Sequence, residues 1–409
     1  MNCASGHLTR VPALPWRSWH KRKNCRCDVS LLKGKETMPN QVITSLDQVS
    51  AEWLTTVLTR SGALAQGAVE SYTVETRHRE LSANAKMSVR YTPGSQGDLP
   101  QRLFLKLVNI DQEDEFFGPS EVNYYTRDYA GLEGAPILRC YDAAFSAEAQ
   151  RYHILMDDIS ATHVEAATKT PTLGYGLALA EALARLHAHW WGVDRLTAGG
   201  ESIHSAAQIN RFVEIARPGA DHILANCVDQ LAPHWPQAIR DLFEWHPQAM
   251  VERTADGNGF TLIHGDVNAG NVFVPLEGDR PLYIVDRQPF DWSLTTWLGV
   301  YDLAYATIRR WPVEMRRKFE RPILAHYHAQ LLANGVTGYS FERLWEDYRL
   351  CAVINVYVAV EWCRGGLNEE TRHIWLPMLQ NVMTAFDDLG CGWPAPRSNN
   401  PTQREASEQ

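Results

Sequence analysis

No stretch of this chain approaches the roughly 20 apolar residues needed to cross a bilayer, and its first residues hold no apolar signal core. A membrane span and a secretory leader are set aside on those grounds. Cysteine is sparse, eight in 409 residues without dense regular spacing. That argues against a disulfide framework and for reduced thiols in a cytoplasmic protein. Cys3, His7, His20, Cys25 and Cys27 fit no common zinc spacing, and no internal repeat is visible. What remains is ordinary globular composition, 45% hydrophobic and 21% charged, in a chain long enough for two or three core units.

Positive charge is concentrated at one end. Residues 1–37 carry eight Lys/Arg against Asp28 and Glu36, which is +6 and leaves −15 for the remainder of a chain of net charge −9. Lys21-Arg22-Lys23 has the look of a nucleic-acid patch, but the segment shows neither helical nor strand period. It is read as a disordered leader or as upstream sequence translated in error, with Met38 the start, and no nucleic-acid partner is expected. Residues 391–409 are rich in Pro, Asn and Ser and read as a disordered tail.

Between these ends the texture changes once. Ser50 caps a helix over 51–59. Strands follow at 69–76, 85–91 and 102–108, the last two a hairpin around Thr92-Pro93-Gly94. A helix with Pro at its start covers 119–129, and strands follow at 137–145 and 152–156. These make a small mixed lobe, 38–158. Residues 159–390 are mainly helical, with helices expected at 173–191, 206–215, 222–231, 238–245, 312–333, 341–362 and 369–389.

Inside the helical part lies His264-Gly265-Asp266-Val267-Asn268-Ala269-Gly270-Asn271, a tight loop between Thr261-Leu262-Ile263 and Val272-Phe273-Val274. A later apolar run, Leu282-Tyr283-Ile284-Val285, ends in Asp286. Phosphoryl transfer asks a protein for positioning and charge neutralisation more than for covalent chemistry. Asp266 suits orienting a hydroxyl and receiving its proton. Asn271 and Asp286 are hard oxygen ligands suited to Mg²⁺. His264 is read as a brace for the loop.

Other residues complete the pattern. Lys106 interrupts the apolar strand Leu103 to Val108, and Glu121 opens the inserted helix fifteen residues later. Together they read as an ion pair holding an ammonium against the phosphates of ATP. Glu80 to Lys86 stands where a phosphate-covering loop is expected but has no glycine, so Ser82 and Ala83 take that place. Met156 and Asp157 end the last strand of the small lobe, where a connector meets an adenine edge. His187 reads as a hydrogen-bonded core histidine, and Asp302 as a cap or loop brace.

These residues resemble the aminoglycoside phosphotransferase and choline kinase superfamily over residues 70–390. The likeness rests on His264-Gly265-Asp266 with Asn271, the strand ending in Asp286, Leu183 to Trp191, Asp302-Leu303-Ala304, and the Lys106/Glu121 pair. It implies an α+β, bilobal protein-kinase-like fold: a small N-lobe of antiparallel sheet plus one helix, and a larger, mainly helical C-lobe. It also implies ATP (or GTP) and Mg²⁺, and O-phosphorylation of a small-molecule alcohol. Asp266 would be catalytic, Asn271 and Asp286 metal ligands, Lys106 the phosphate-binding lysine and Glu121 its partner. Ile284-Val285-Asp286-Arg287-Gln288 is similar to the ecdysteroid-kinase-like subgroup. Arg287 departs from the superfamily, where an apolar or aromatic residue is usual, and its role is left open, a reach toward phosphate or acceptor being one reading.

The acceptor stays open. The acidic main body suits a cationic aminoglycoside or choline. Trp190, Trp191, Trp292, Trp297, Trp311 and Trp362 suit an apolar pocket or a quaternary-amine cage, and the subgroup resemblance leans to a larger apolar alcohol. Two other classes compete: a nucleotide-binding pseudokinase scaffold, and a metal-dependent hydrolase built on His264, Asp266 and Asp286.

Overall fold

The computed structural model describes residues 25–27, 42–78, 82–109 and 117–392. The expected leader lies outside the described residues except for Cys25–Cys27, a short strand, and the expected tail lies outside from residue 393. Among the described residues no helix is long and apolar enough to cross a membrane.

In chain order the first lobe runs β1 (Cys25–Cys27), α1 (Ala51–Arg60), β2 (Leu64–Gln66), β3 (Val69–His78), β4 (Ser82–Tyr91), β5 (Gln96–Gly97), β6 (Arg102–Asn109), α2 (Ser120–Asn123), β7 (Cys140–Ser146) and β8 (Arg151–Asp157). Six of these strands form one sheet in the order β1-β3-β4-β6-β8-β7, antiparallel at every pairing. Period-two alternation decides which residue faces what. Leu103, Leu105 and Leu107 of β6 bury against Met87, Val89 and Leu155, under Trp53, Leu54, Val57 and Leu58 of α1. Phe104 and Val108 go to the opposite face, into the core that contains Val122 and Tyr124. Lys106 has their parity, so the alternation itself turns its ammonium toward α2. The side chain of Ser50 accepts from the Trp53 amide and fixes where α1 begins.

The second lobe runs β9 (His163–Glu165), α3 (Leu173–His189), α4 (Val193–Ala198), α5 (Ala206–Asn226), α6 (Trp235–Arg253), β10 (Phe260–Leu262), β11 (Val272–Pro275), β12 (Tyr283–Ile284), β13 (Thr296–Leu298), α7 (Val300–Ile308), α8 (Val313–Ala333), α9 (Phe341–Glu361) and α10 (Glu369–Asp388). From Cys351 to Val360 α9 is buried almost all round, as a helical stretch without a polar stripe must be. Two short ladders, β10 with β13 and β9 with β11 and β12, grip both ends of the 263–271 loop.

Four differences from the sequence reading have physical causes. The helices expected at 206–215 and 222–231 are one helix, α5, with Pro218 inside it. Pro218 and Gly219 look like a break, but the proline removes only one helical donor. Gly219 lets α5 press on α9, where any Cβ would lie 1.9 Å from the Val360 carbonyl oxygen. Residues expected at 238–245 extend to a longer helix, α6, which tolerates Pro247 in its interior. The helix expected at 119–129 is one α-turn followed by a π-helical turn at Tyr124–Asp128. Finally, Ser82 to Lys86 are strand rather than connecting loop: β4 pairs along this stretch with β6, and from Ala83 onward also with β3.

Candidate active site

Three charged side chains from three elements converge. Lys106 Nζ of β6 donates to both carboxylate oxygens of Glu121 in α2, at 2.8 and 2.7 Å. It also lies 2.5 Å from Asp286 Oδ1, just past β12. The Tyr152 hydroxyl, from β8, donates to Glu121 as well. Glu121 is buried, whereas the Asp286 side chain is 42% exposed. Asp286 has φ 66°, an uncommon conformation for a residue with a Cβ. Burial works against the Lys106 charge, but Asp286 and Glu121 outweigh it and hold the ammonium pKa above its ordinary value. Burial raises the Glu121 carboxyl, opposed chiefly by Lys106.

The loop after β10 presents Asp266 between two sets of donors. Asp266 Oδ2 accepts from Asn271 Nδ2 at 3.0 Å. Its Oδ1 accepts from Asn268 Nδ2 at 2.9 Å and from the Tyr305 hydroxyl of α7 at 2.5 Å. The Asn271 amide nitrogen also reaches the carbonyls of Asp266 and Asp286, which leaves its Oδ1 as the atom suited to a cation. Burial raises the Asp266 carboxyl above the usual carboxylate range, and Tyr305, Arg309 and Asn268 offset part of that rise. Gly265 has φ 81°, and a Cβ there would come 3.0 Å from Gln288, so the turn accepts only glycine without strain.

Asp302, at the start of α7, holds this loop in place. Its carboxylate accepts the backbone N–H of His264 at 2.7 Å and of Gly265 at 2.9 Å. It also accepts His187 Nε2–H at 3.1 Å, while His187 Nδ1 takes the Tyr327 hydroxyl at 2.8 Å. Although burial works to raise it, these hydrogen bonds hold the Asp302 carboxyl below its usual value. His264 donates through Nε2 to the Val285 carbonyl at 3.1 Å and accepts the Asp266 amide on Nδ1. Both its nitrogens are committed, so it braces the loop and is not free to ligate a metal.

Arg287 does not reach toward phosphate or acceptor. It is buried, pairing with Asp128 at the end of the π-turn and donating through Nε to the Ile263 carbonyl at 3.1 Å. The Trp190 indole donates to the Asp128 carbonyl at 2.7 Å. At the other end of the same helical element, the Gly118 amide bonds the Pro289 carbonyl at 3.0 Å and Phe117 stacks on Phe290. Residues 287–290 therefore hold the Glu121-bearing helical element at both its ends.

Burial also makes an acid-stability prediction. His246, bonded to the Tyr357 hydroxyl and the Leu350 carbonyl, and His264 are both pushed down to about 4. Below the ordinary histidine value the unfolded chain takes up protons that the folded chain refuses. The stability is therefore complete above about pH 6.5 and falls as pH drops toward 4, by on the order of 3 kcal/mol per histidine. Chemical denaturation at pH 7, 5.5 and 4.5 is expected to show a declining midpoint; a flat profile contradicts it.

The structure thus brings Lys106, Glu121, Asp266, Asn271 and Asp286 together. The side chain of Ser82 and the connector 79–81 lie outside the described residues. Met156 is buried and paired on both flanks, with Phe104 and Cys140. The Asp157 amide bonds the Arg139 carbonyl, and its carboxylate accepts from the Tyr141 hydroxyl. Trp190, Trp297 and Trp311 are core. Tyr152, Asn268, Tyr305 and Arg309 were missed; Asn268, a second amide inside the loop, was the one with a local signal.

No family model matches the chain, and no curated protein matches it in sequence. Solved structures do. Choline kinase from Cryptosporidium parvum Iowa II is 10% identical, covers 84% of this chain and 98% of its own, and gives a TM-score of 0.50. A spectinomycin phosphotransferase in complex with ADP and spectinomycin is 15% identical, covering 83% and 98%, with a TM-score of 0.49. An ethanolamine kinase of Plasmodium vivax is 10% identical, covering 76% and 81%, at 0.48. Identities this low speak to architecture alone, and on that footing the chain has the two-lobed α+β fold of the choline kinase it resembles.

Proposed function

We propose that this protein is an ATP-dependent O-phosphotransferase acting on a small-molecule alcohol. The observation that carries the reading is the meeting of Lys106 and Glu121 from one lobe with Asp286 from the other, next to Asp266 and Asn271. Lys106 holds the α- and β-phosphates, kept in line by Glu121. The Asn271 Oδ1 and the Asp286 carboxylate are hard oxygen donors that fit a Mg²⁺ ion; when bound it neutralises phosphate charge. Asp286 already sits beside a cation, the Lys106 ammonium, which supports this reading of its carboxylate. Asp266 orients the acceptor hydroxyl and takes its proton, and its raised pKa makes it the better base.

The hydrolase alternative loses its histidine, because His264 is committed at both nitrogens. The described cysteines whose side chains can be read are all free, which suits the reducing cytoplasm to which we assign the protein. The likeness of 284–288 to the ecdysteroid-kinase-like subgroup supports a natural-product alcohol as acceptor.

The test is incubation of the full chain with ATP or GTP, Mg²⁺ and a library of hydroxylated compounds, following nucleoside diphosphate release and phosphoproduct mass. Turnover with at least one alcohol is expected. Lys106→Ala is expected to raise KM for ATP by about 10- to 100-fold, the scale of a lost charge-assisted hydrogen bond, with the fold retained. Unfolding of that variant instead would make Lys106 a structural residue. Nucleotide binding without turnover of any alcohol would favour a scaffold.

A further inference from the structure

Among the described residues, Arg309 and Arg310, at the end of α7, have no ion-pair partner, in a chain of net charge −9. Several buried or half-buried arginines of this lobe are matched: Arg253 with Asp347, Arg287 with Asp128, Arg316 with Glu320, Arg317 with Asp388. Arg309 is 5% exposed. Its guanidinium lies 3.9 Å over the Tyr305 ring, and its Nε meets only the Met378 thioether at 3.3 Å, a weak acceptor. Its Nη1 is buried without any hydrogen bond among the described residues. Leaving a buried charged donor unmade is costly unless something else satisfies the group. Arg310 is exposed, and lies within electrostatic reach of Arg309, Tyr305 and Asp266. Two neighbouring cations form a site for an anion when the carboxylate in reach, Asp266, is bonded to Asn268, Asn271 and Tyr305 instead.

The position says which anion. Asp266 has two sides. Its Oδ2 faces Asn271, the side of Asp286, Lys106 and the nucleotide phosphates. Its Oδ1 faces Tyr305, and Arg309 lies on the ring of that same tyrosine. The arginines therefore stand across Asp266 from the nucleotide, where the acceptor must lie.

We propose that the acceptor alcohol carries an anionic oxyacid group, carboxylate or phosphate monoester, seated on Arg309 and Arg310. This rests on the kinase reading and narrows it away from cationic aminoglycosides and choline-like amines. In the reaction the acceptor oxygen forms a bond to the γ-phosphorus as the bond from that phosphorus to the β,γ-bridging oxygen breaks. The nucleoside diphosphate leaves, and the hydroxyl proton passes to Asp266 and then to solvent. Arg309 and Arg310 determine specificity and take no part in the bond changes.

The experiment compares matched acceptors with the full chain, ATP and Mg²⁺: hydroxy acids against their amides, phosphorylated polyols against the free polyols, and amino alcohols. An anionic member of a pair is expected to have kcat/KM at least about tenfold above its neutral partner, the scale of one charged hydrogen bond. The two series separate carboxylate from phosphate. Arg310→Ala is expected to remove that advantage mainly through KM for the acceptor, leaving KM for ATP within about twofold, and Arg310→Glu to favour amino alcohols. Equal use of neutral and anionic partners, or an unchanged ratio in Arg310→Ala, overturns the proposal. A binding readout separates it from the kinase reading. With ADP and Mg²⁺ saturating, glycolate or glycerol 3-phosphate is expected to raise the melting temperature of the wild type and not of Arg310→Ala at equal ionic strength. No shift with either probe overturns the anion site, whereas a shift without turnover of any acceptor overturns only the kinase reading.

Discussion

Asp266→Ala is expected to lower kcat by at least about 10²-fold, the usual scale for removing a proton-accepting side chain, with little change in nucleotide affinity. The separation follows from the geometry. Asp266 touches Asn268, Asn271 and Tyr305 but makes no contact with Lys106 or Glu121, so nucleotide binding loses nothing direct. The loop stays put because its backbone hangs on Asp302. The wild-type pH profile carries the same signature. Burial raises the Asp266 carboxyl, and only the carboxylate can accept a proton. Activity is therefore lost as pH falls through a value above the ordinary carboxylate range, about 4. Single-turnover ADP release across pH checks both points; an Asp266→Ala protein with wild-type turnover removes Asp266 from the chemistry.

Asp302→Ala is expected to be the most destabilising single change in the site. It strips acceptors from two buried backbone N–H groups and from the buried His187 ring. Each buried donor left unmade costs about 1–3 kcal/mol, so a total of about 4 kcal/mol and a melting temperature lower by about 10 °C are expected. Activity is expected to fall with it, since Asp266 rides on the backbone that Asp302 holds. Asp302→Asn keeps one acceptor oxygen and is expected to recover part of both. A melting curve for Asp302→Ala that overlays the wild type would show that the loop holds itself.

What could be read from sequence was local or periodic. Asp266 and Asn271 share one tight loop, and Asp286 ends the next apolar run, so spacing alone brought them together. Lys106 stood out as a charge inside an apolar strand, but whether it faces solvent or a cleft depends on the element packed against it, here α2. Tyr305, Arg309 and Tyr152 were not legible, because each joins the site from an element packed against it across the fold. The same holds for Arg287, whose partner Asp128 lies 159 residues away; no local pattern announces a buried pair at that separation. The fold classes of both lobes followed from alternation in the first and helical runs in the second. Helix limits failed at 215 and 245, short of Pro218-Gly219 and Pro247, since whether a helix continues through a proline depends on the neighbour it packs against.

One feature bears on control. The helical element that carries Glu121 is tied to residues 287–290 at its start, through Gly118 and Phe117, and at its end, through Asp128. In protein kinases an ion pair between a strand lysine and a helix glutamate must be in place for activity, and control acts by positioning that helix. Ties at both ends to the segment beside Asp286 hold this element with Glu121 against Lys106. On the proposed kinase reading, activity is expected to need no separate step that docks this helix.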